Sequence, residues 1–265
     1  MPFAMSAPCR LGFEEFLDTP PGQLLLSWER AQYAELVEDA FGDAALQIGC
    51  PWLPTLANNR IRSRWLAAPD LADAKAQAEH QELGFIEAQP EALPVATDSI
   101  DLLTLPHVLD FSSEPQQALR EAVRILQPEG RLILTVFNPL GLWWLRQHAV
   151  AVGIKPYLPT ALSPISISRL RDWLTLLGLE IDRGRFGIYA PAFASAKRLA
   201  SWRWIDKAGD RWAPQLSNLI LLSAVKHSPG ASMICFPERK KQTLPVAGSS
   251  VPAASSSLSH KTNKL

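Results

Sequence analysis

Apolar positions along the chain alternate between two periods. Tyr33, Leu36, Val37 and Ala40 recur at i, i+3, i+4 and i+7, one face of a helix expected to begin near Pro21 and stop at Gly42. A short run at 44–48 reads as a strand that ends at Gly49. A weaker strand is expected over 62–67, a helix over 71–83, and a short strand over 84–87. The compact run 100–105 has the length of a buried strand. The clearest helix lies between Ser113 and Leu126, with Ser113 as cap, Pro115 in its first turn and an apolar stripe of Leu119, Ala122, Val123 and Leu126. Pro128 and Gly130 close it, and 131–137 is the next strand. Ser168 is expected to cap a later helix with Leu170, Trp173, Leu174 and Leu177 on its stripe and Gly178 as its stop. Strand-like runs return at 179–182 and 219–226. Strands alternating with helices predict an α/β fold, a doubly wound, mostly parallel sheet with helices on both faces.

Composition narrows the class. The 265 residues allow one large domain or two small ones. Lys plus Arg and Asp plus Glu both number 26, so the formal net charge is zero. That balance argues against binding nucleic acid by bulk charge and against an acidic disordered chain. Cys9, Cys50 and Cys235 are odd in number and far apart, which speaks for a reducing compartment and against a disulfide framework. Residues 1–18 lack a basic stretch followed by an apolar run. The apolar stretch 132–154 is broken by Asn138, Pro139, Arg146 and His148, unlike the roughly 20 uninterrupted apolar residues of a membrane span. A cytoplasmic protein without a membrane segment is expected. From Pro237 a basic knot, Arg239-Lys240-Lys241, leads into Ser/Ala/Pro-rich sequence with no aromatic residue. Residues 1–236 are therefore read as one domain and 237–265 as a disordered tail.

In a doubly wound sheet, ligands bind beyond the carboxyl ends of the strands. That singles out Gly49-Cys50-Pro51, 67–70, 87–94, Pro106-His107 and Phe137-Asn138-Pro139. His107 directly follows a central strand and could contact a ligand or move a proton, or be a hydrogen-bonded structural residue. Asn138 could position a substrate, and Trp143 or Trp144 could stack on one or pack in the core. Arg185, Phe186 and Tyr189 could close the same pocket or form a hairpin. Trp202, Trp204 and Trp212 interleave with Arg198, Arg203 and Arg211, yet Asp206 and Asp210 lie among them, so a packed helix is favoured over a nucleic-acid site. No Cys or His pair has metal-ligand spacing.

One ordered stretch is more specific. Glu91-Ala92-Leu93-Pro94 leads to Asp98-Ser99-Ile100-Asp101, then His107-Val108-Leu109-Asp110, then Leu119-Arg120-Glu121 through Arg124-Ile125-Leu126-Gln127-Pro128-Glu129-Gly130-Arg131-Leu132. It resembles the class I S-adenosylmethionine-dependent methyltransferases of the type 11 group, with their "LrE..RvL.PgGrl" wording. The likeness extends over roughly 16–227 to a bacterial subgroup with a substituted glycine-rich loop. Where the family reads "LDlGCGtG", this chain has Leu46-Gln47-Ile48-Gly49-Cys50-Pro51-Trp52-Leu53. The resemblance implies a Rossmann-like methyltransferase sheet and S-adenosylmethionine as cofactor. It puts Gly49, Cys50, Asp70, Gln89, Glu91, Ala92 and His107 at cofactor positions, with His107 and Asn138 in catalytic roles. It implies methyl transfer to an unidentified acceptor, a small molecule or another partner. Two alternatives stand beside it: a catalytically silent scaffold or small-molecule binder of the same fold, and, more weakly, an RNA-modifying methyltransferase.

Overall fold

The computed structural model describes residues 13–227, apart from 79–80, 149–157, 159–161, 192, 194, 203–204, 206–208 and 210. The strand-like runs become β1 (Ala44–Ile48), β2 (Ser63–Ala68), β3 (Gly84–Glu87), β4 (Ile100–Pro106), β5 (Leu126–Phe137), β6 (Leu179–Gly187) and β7 (Leu219–Lys226). They form one sheet in the order β3-β2-β1-β4-β5-β7-β6. The first five are parallel, and β7 runs antiparallel to both β5 and β6. The order reverses between β1 and β4, so a crevice is expected beyond the carboxyl ends of those two strands.

The helices that cover the sheet include α1 (Pro20–Glu38), α2 (Leu71–Gln77), α3 (Val108–Phe111), α4 (Pro115–Ile125), α5 (Leu142–His148), α6 (Ile167–Leu176) and α7 (Ala196–Ser201). Because side chains alternate along a strand, each central strand feeds two cores. Leu46, Leu103, Leu132, Leu134 and Leu222 pack with α3, α4 and α6. Ala45, Leu102, Ile133 and Leu221 face α1, the helical residues 13–17 and Trp143.

Helix α1 starts where its sequence provides a cap and a preset φ. Thr19 Oγ1 accepts from Gly22 N and donates to Phe16 O, and Pro20 and Pro21 occupy the first turn. Farther along, Trp28 lies flat over the backbone of Gly187 and Arg185 pairs with Glu35, which fixes α1 against β6. At the opposite end of the sheet, Asp101 Oδ2 accepts from Asp43 N and Ala44 N and so fixes the entry to β1.

Some boundaries differ from the sequence reading. Helix α2 ends at Gln77 rather than near 83. Helix α4 begins at Pro115 after Glu114, while Ser112, not Ser113, accepts from Glu114 N. Helix α6 begins after Ser166, and neither Ser166 nor Ser168 caps it through a side chain. Strand β5 starts at Leu126, since Leu126 pairs with Ile100 before a bulge restores register at Arg131. Strand β6 reaches Gly187 because β7 pairs along its whole length. The expected tail, 237–265, lies outside the described residues.

A Cβ at Gly187 would sit 2.1 Å from Trp28 Cε2. Gly187→Ala should therefore cost about 1–3 kcal/mol by overpacking, each kcal/mol lowering Tm by about 2–4 °C for a domain of this size. Thermal melting followed by circular dichroism measures it, and an unchanged Tm would contradict the packing of Trp28 on that glycine.

Candidate functional site

Three strands release their chains side by side. Ile48 pairs with Ala67 and Ala68 with Glu87. Past those pairs, Gly49 N still donates to Ala67 O (2.9 Å) and Ala88 N to Ala68 O (3.0 Å). The segments after β1, β2 and β3 thus form one rim. Gly49 has φ +69°, and an added Cβ would meet only Val108 Cγ2, at 3.4 Å, so the backbone turn rather than crowding calls for glycine. Cys50 follows in the same left-handed region, φ 46°. Its thiol turns inward to donate to Pro106 O at 3.1 Å, joining the end of β1 to the end of β4, and burial pushes its pKa up.

Gln47, fully buried in β1, organises the loop from beneath. Its Nε2 donates toward Gly49 O (3.0 Å), Cys50 O (2.9 Å) and Leu53 O (2.9 Å). Its Oε1 accepts from Thr55 Oγ1 (2.7 Å) and Thr55 N (3.2 Å). The Thr55 hydroxyl lies 2.7 Å from that of Thr104 on β4.

His107 leaves β4 in the left-handed region, φ 53°, and is 1 % exposed. Its ring stacks on Phe137 with centroids 4.4 Å apart and meets the edge of Phe13 at 5.6 Å. Nδ1 hydrogen-bonds Asp110 Oδ2 at 2.9 Å, and Glu29 Oε1 of α1 lies 3.1 Å from Nε2, close enough for an ion pair but off the line of a hydrogen bond. Burial opposes a charge on the imidazole. The carboxylates of Glu29 and Asp110 outweigh it and raise the His107 pKa to about 9. Asp110 Oδ2 also accepts from Phe137 N, so the triad ties α1, β4 and β5 together. Burial raises the pKa of Asp110 against the opposing pull of His107.

The remaining sequence candidates fall into separate places. Gln89 lies on the rim, and its Oε1 is buried without a hydrogen-bond partner among the described residues. Ala92 bridges back to Gln89, and Glu91 accepts a hydrogen bond from Ser112 Oγ. This segment is pinned from α4, where Arg124 donates to Leu93 O (3.0 Å) and Val95 O (2.9 Å) and pairs with Glu121. Asp70 caps α2, its Oδ1 accepting from Ala72 N and Asp73 N. Asn138 is buried, donating to Gln215 O and Ser217 O and accepting from Leu140 N. Trp143 is core, with Nε1 on Ala190 O. Trp212 is exposed, while Arg203, Trp204, Asp206 and Asp210 lie outside the described residues.

Sequence reasoning missed Glu29, Phe13 and the Gln47–Thr55–Thr104 chain. For Glu29 a signal was present: it falls on the stripe of Leu25, Leu26, Tyr33, Leu36 and Val37, a charge in the middle of an apolar face. Phe13 offered none, because residues 13–17 carry too few apolar repeats to announce a helix.

The triad has a pH signature. A folded pKa of about 9 against the ordinary 6.5 means that His107 favours folding fully below pH 6.5. The contribution, about 3 kcal/mol at most, is lost as pH rises through 9. Tm should therefore fall between pH 6.5 and 9, and Glu29→Gln should move that fall to lower pH. A Tm independent of pH across this window would contradict a charged His107.

Comparison with known proteins accords with this geometry. Residues 55–134 match the family model described as a methyltransferase domain, beginning just past the altered loop. The uncharacterized protein YafS of Escherichia coli is 33% identical over 96 residues, 36% of this chain and 39% of YafS. A malonyl-[acyl-carrier protein] O-methyltransferase of Enterobacter lignolyticus is 30% identical over 146 residues, 54% of this chain and 53% of that one. The chain thus spans about half or less of these relatives' length. Among solved structures, the methyltransferase chain in complex with the Trm112 activator of Haloferax volcanii superposes with a TM-score of 0.57. That match covers 83% of this chain and 98% of the other at 15% identity, a likeness of fold. Strand order, motif stretch and family match agree: residues 55–134 are similar to the methyltransferase-domain family, on a sheet that has the fold of S-adenosylmethionine-dependent methyltransferases.

Proposed function

We propose that this chain binds S-adenosylmethionine on the rim formed by β1, β2 and β3 and transfers its methyl group to a small acceptor. The observation that carries the reading is the buried, unpartnered Oε1 of Gln89 at the position where the family places its adenine contact. A buried acceptor left without a donor costs about 1–3 kcal/mol, and an adenine amino group is a donor of the right kind. Gly49 and Cys50 would receive the amino-acid end through backbone, and the Glu91–Ala92 turn would flank the adenine. Asp70, whose Oδ1 caps α2, would be the residue offered to the ribose. The bound cofactor supplies an electrophilic methyl on a sulfonium.

Alignment and exclusion of water are the protein's main tasks in such a transfer. His107 is enclosed, and with a pKa of about 9 it is already protonated at neutral pH, so it is not available as a base. In this reading His107 is a positioning residue that holds the ends of β4 and β5, and Asn138 does the same for the β5–β7 connection. The transfer in this reading draws no base from His107. Phe111 and the partly buried Trp52 and Trp144 border the same end of the sheet and suit an acceptor with apolar or aromatic parts.

Calorimetric titration with S-adenosylhomocysteine should give binding in the micromolar range. Gln89→Leu should weaken it about 5–30-fold, the worth of one buried hydrogen bond. Gly49→Val, which forces a branched residue into a left-handed turn, should abolish it. A folded wild-type protein that binds neither S-adenosylmethionine nor S-adenosylhomocysteine would refute the proposal.

A further inference from the structure

Gln47 stands where the family's first strand carries an acidic residue, and the loop above it has lost two glycines to Pro51 and Leu53. We infer that these changes belong together: Gln47 is the positioning residue that shapes the 49–55 loop to receive the amino-acid end of the cofactor. The inference rests on the proposed cofactor site.

Three carbonyl oxygens, those of Gly49, Cys50 and Leu53, converge on one side-chain nitrogen at 2.9–3.0 Å. An amide group supplies two N–H donors there, whereas an ionised carboxylate supplies none and would repel all three. Two of those carbonyls, of Cys50 and Leu53, precede Pro51 and Pro54, so their peptide units have no N–H to present on the other side. The third is different. With Gly49 O drawn down to Gln47, the trans peptide plane sends Cys50 N–H to the opposite side, away from the core. A backbone donor set at a glycine turn beyond a central strand suits the carboxylate of an amino acid.

The other half of Gln47 is equally engaged. Oε1 takes both the backbone N and the hydroxyl of Thr55, whose oxygen also meets Thr104 Oγ1. The amide can therefore lie only one way round, with its nitrogen under the loop. Proline rigidity and a single amide do here what conformational freedom at glycine does in the family's usual loop.

The test separates the two ends of the ligand. Wild type, Gln47→Glu, Gln47→Met and Thr55→Val are titrated with S-adenosylhomocysteine and with 5′-methylthioadenosine, which lacks the amino-acid end. Thermal melts establish which variants are folded. Expected are a loss of S-adenosylhomocysteine affinity of at least roughly tenfold in both Gln47 variants, a smaller loss in Thr55→Val, and methylthioadenosine binding within about threefold of wild type throughout. If Gln47→Glu does not fold, Gln47→Met and Thr55→Val carry the same comparison. Unchanged S-adenosylhomocysteine affinity, or equal loss of both ligands in a folded variant, would overturn the inference while leaving the cofactor site standing. Wild-type protein that binds neither ligand would instead bring down the cofactor site itself.

Discussion

Two adjacent central strands, β1 and β4, both leave the sheet through left-handed residues, and the rest of this end of the molecule is arranged to hold them there. Gly49 tolerates the turn without strain, but Cys50 at φ 46° and His107 at φ 53° do not. A non-glycine residue in this region costs on the order of 1 kcal/mol and persists only where its surroundings over-determine it. Here they do. Cys50 is tied through its thiol to Pro106 O, one residue before His107, and His107 is fixed by its backbone N on Thr135 O and by its ring on Asp110. The two turns therefore brace each other across the switch point of the sheet.

The bracing relies on a buried charge, which is costly in a core. An isolated imidazolium there would lose its proton. Glu29 and Asp110 prevent this by enclosing both ring nitrogens, while the faces of the ring are covered by Phe137 and Phe13. A charged residue paired in this manner adds little net stability relative to an apolar substitute, but removing one partner leaves the others uncompensated. Specificity of arrangement is the larger effect. Glu29 can satisfy His107 only if α1 lies at one position along the sheet, the position that Trp28 and Gly187 also demand.

Much of the sheet was legible in the sequence because β1, β4, β7 and the second half of β5 are largely apolar runs, whereas β6, with Glu180, Asp182, Arg183 and Arg185 along it, was read only at its start. The motif around Glu121 and Arg124 was legible only as wording; the structure gives its physical content. Arg124 reaches out of α4 to the carbonyls of Leu93 and Val95 and holds the chain that carries Gln89 and Ala92. Interactions between distant segments were not legible. Glu29 and His107 are 78 positions apart, and Gln47 meets Thr55 and Thr104 only after β1 and β4 have paired. Helix starts failed for a local reason: serines near α4 and α6 offered several caps, and neither helix is capped by a side chain.

The altered loop also changes what counts as a defect in a family motif. Judged residue by residue, Pro51 removes an N–H and Gln47 removes a charge, and each looks like damage to a cofactor cradle. Judged as a hydrogen-bond set, the two substitutions compensate each other. Proline withdraws a donor from the outer side of the loop, and glutamine supplies donors on the inner side, to Gly49 O and to the carbonyls of Cys50 and Leu53, which also accept from Leu53 N and Thr55 N. At the proposed cofactor site, what the exchange would preserve is a backbone N–H held outward at Cys50 by the turn at Gly49, which suits a carboxylate ligand. The same logic explains why His107 can be at the family's position without the accessibility of a base: the residue has been recruited to fix the neighbouring turn. In this chain the shape of the rim is set by the backbone, and the polar side chains behind it maintain that shape.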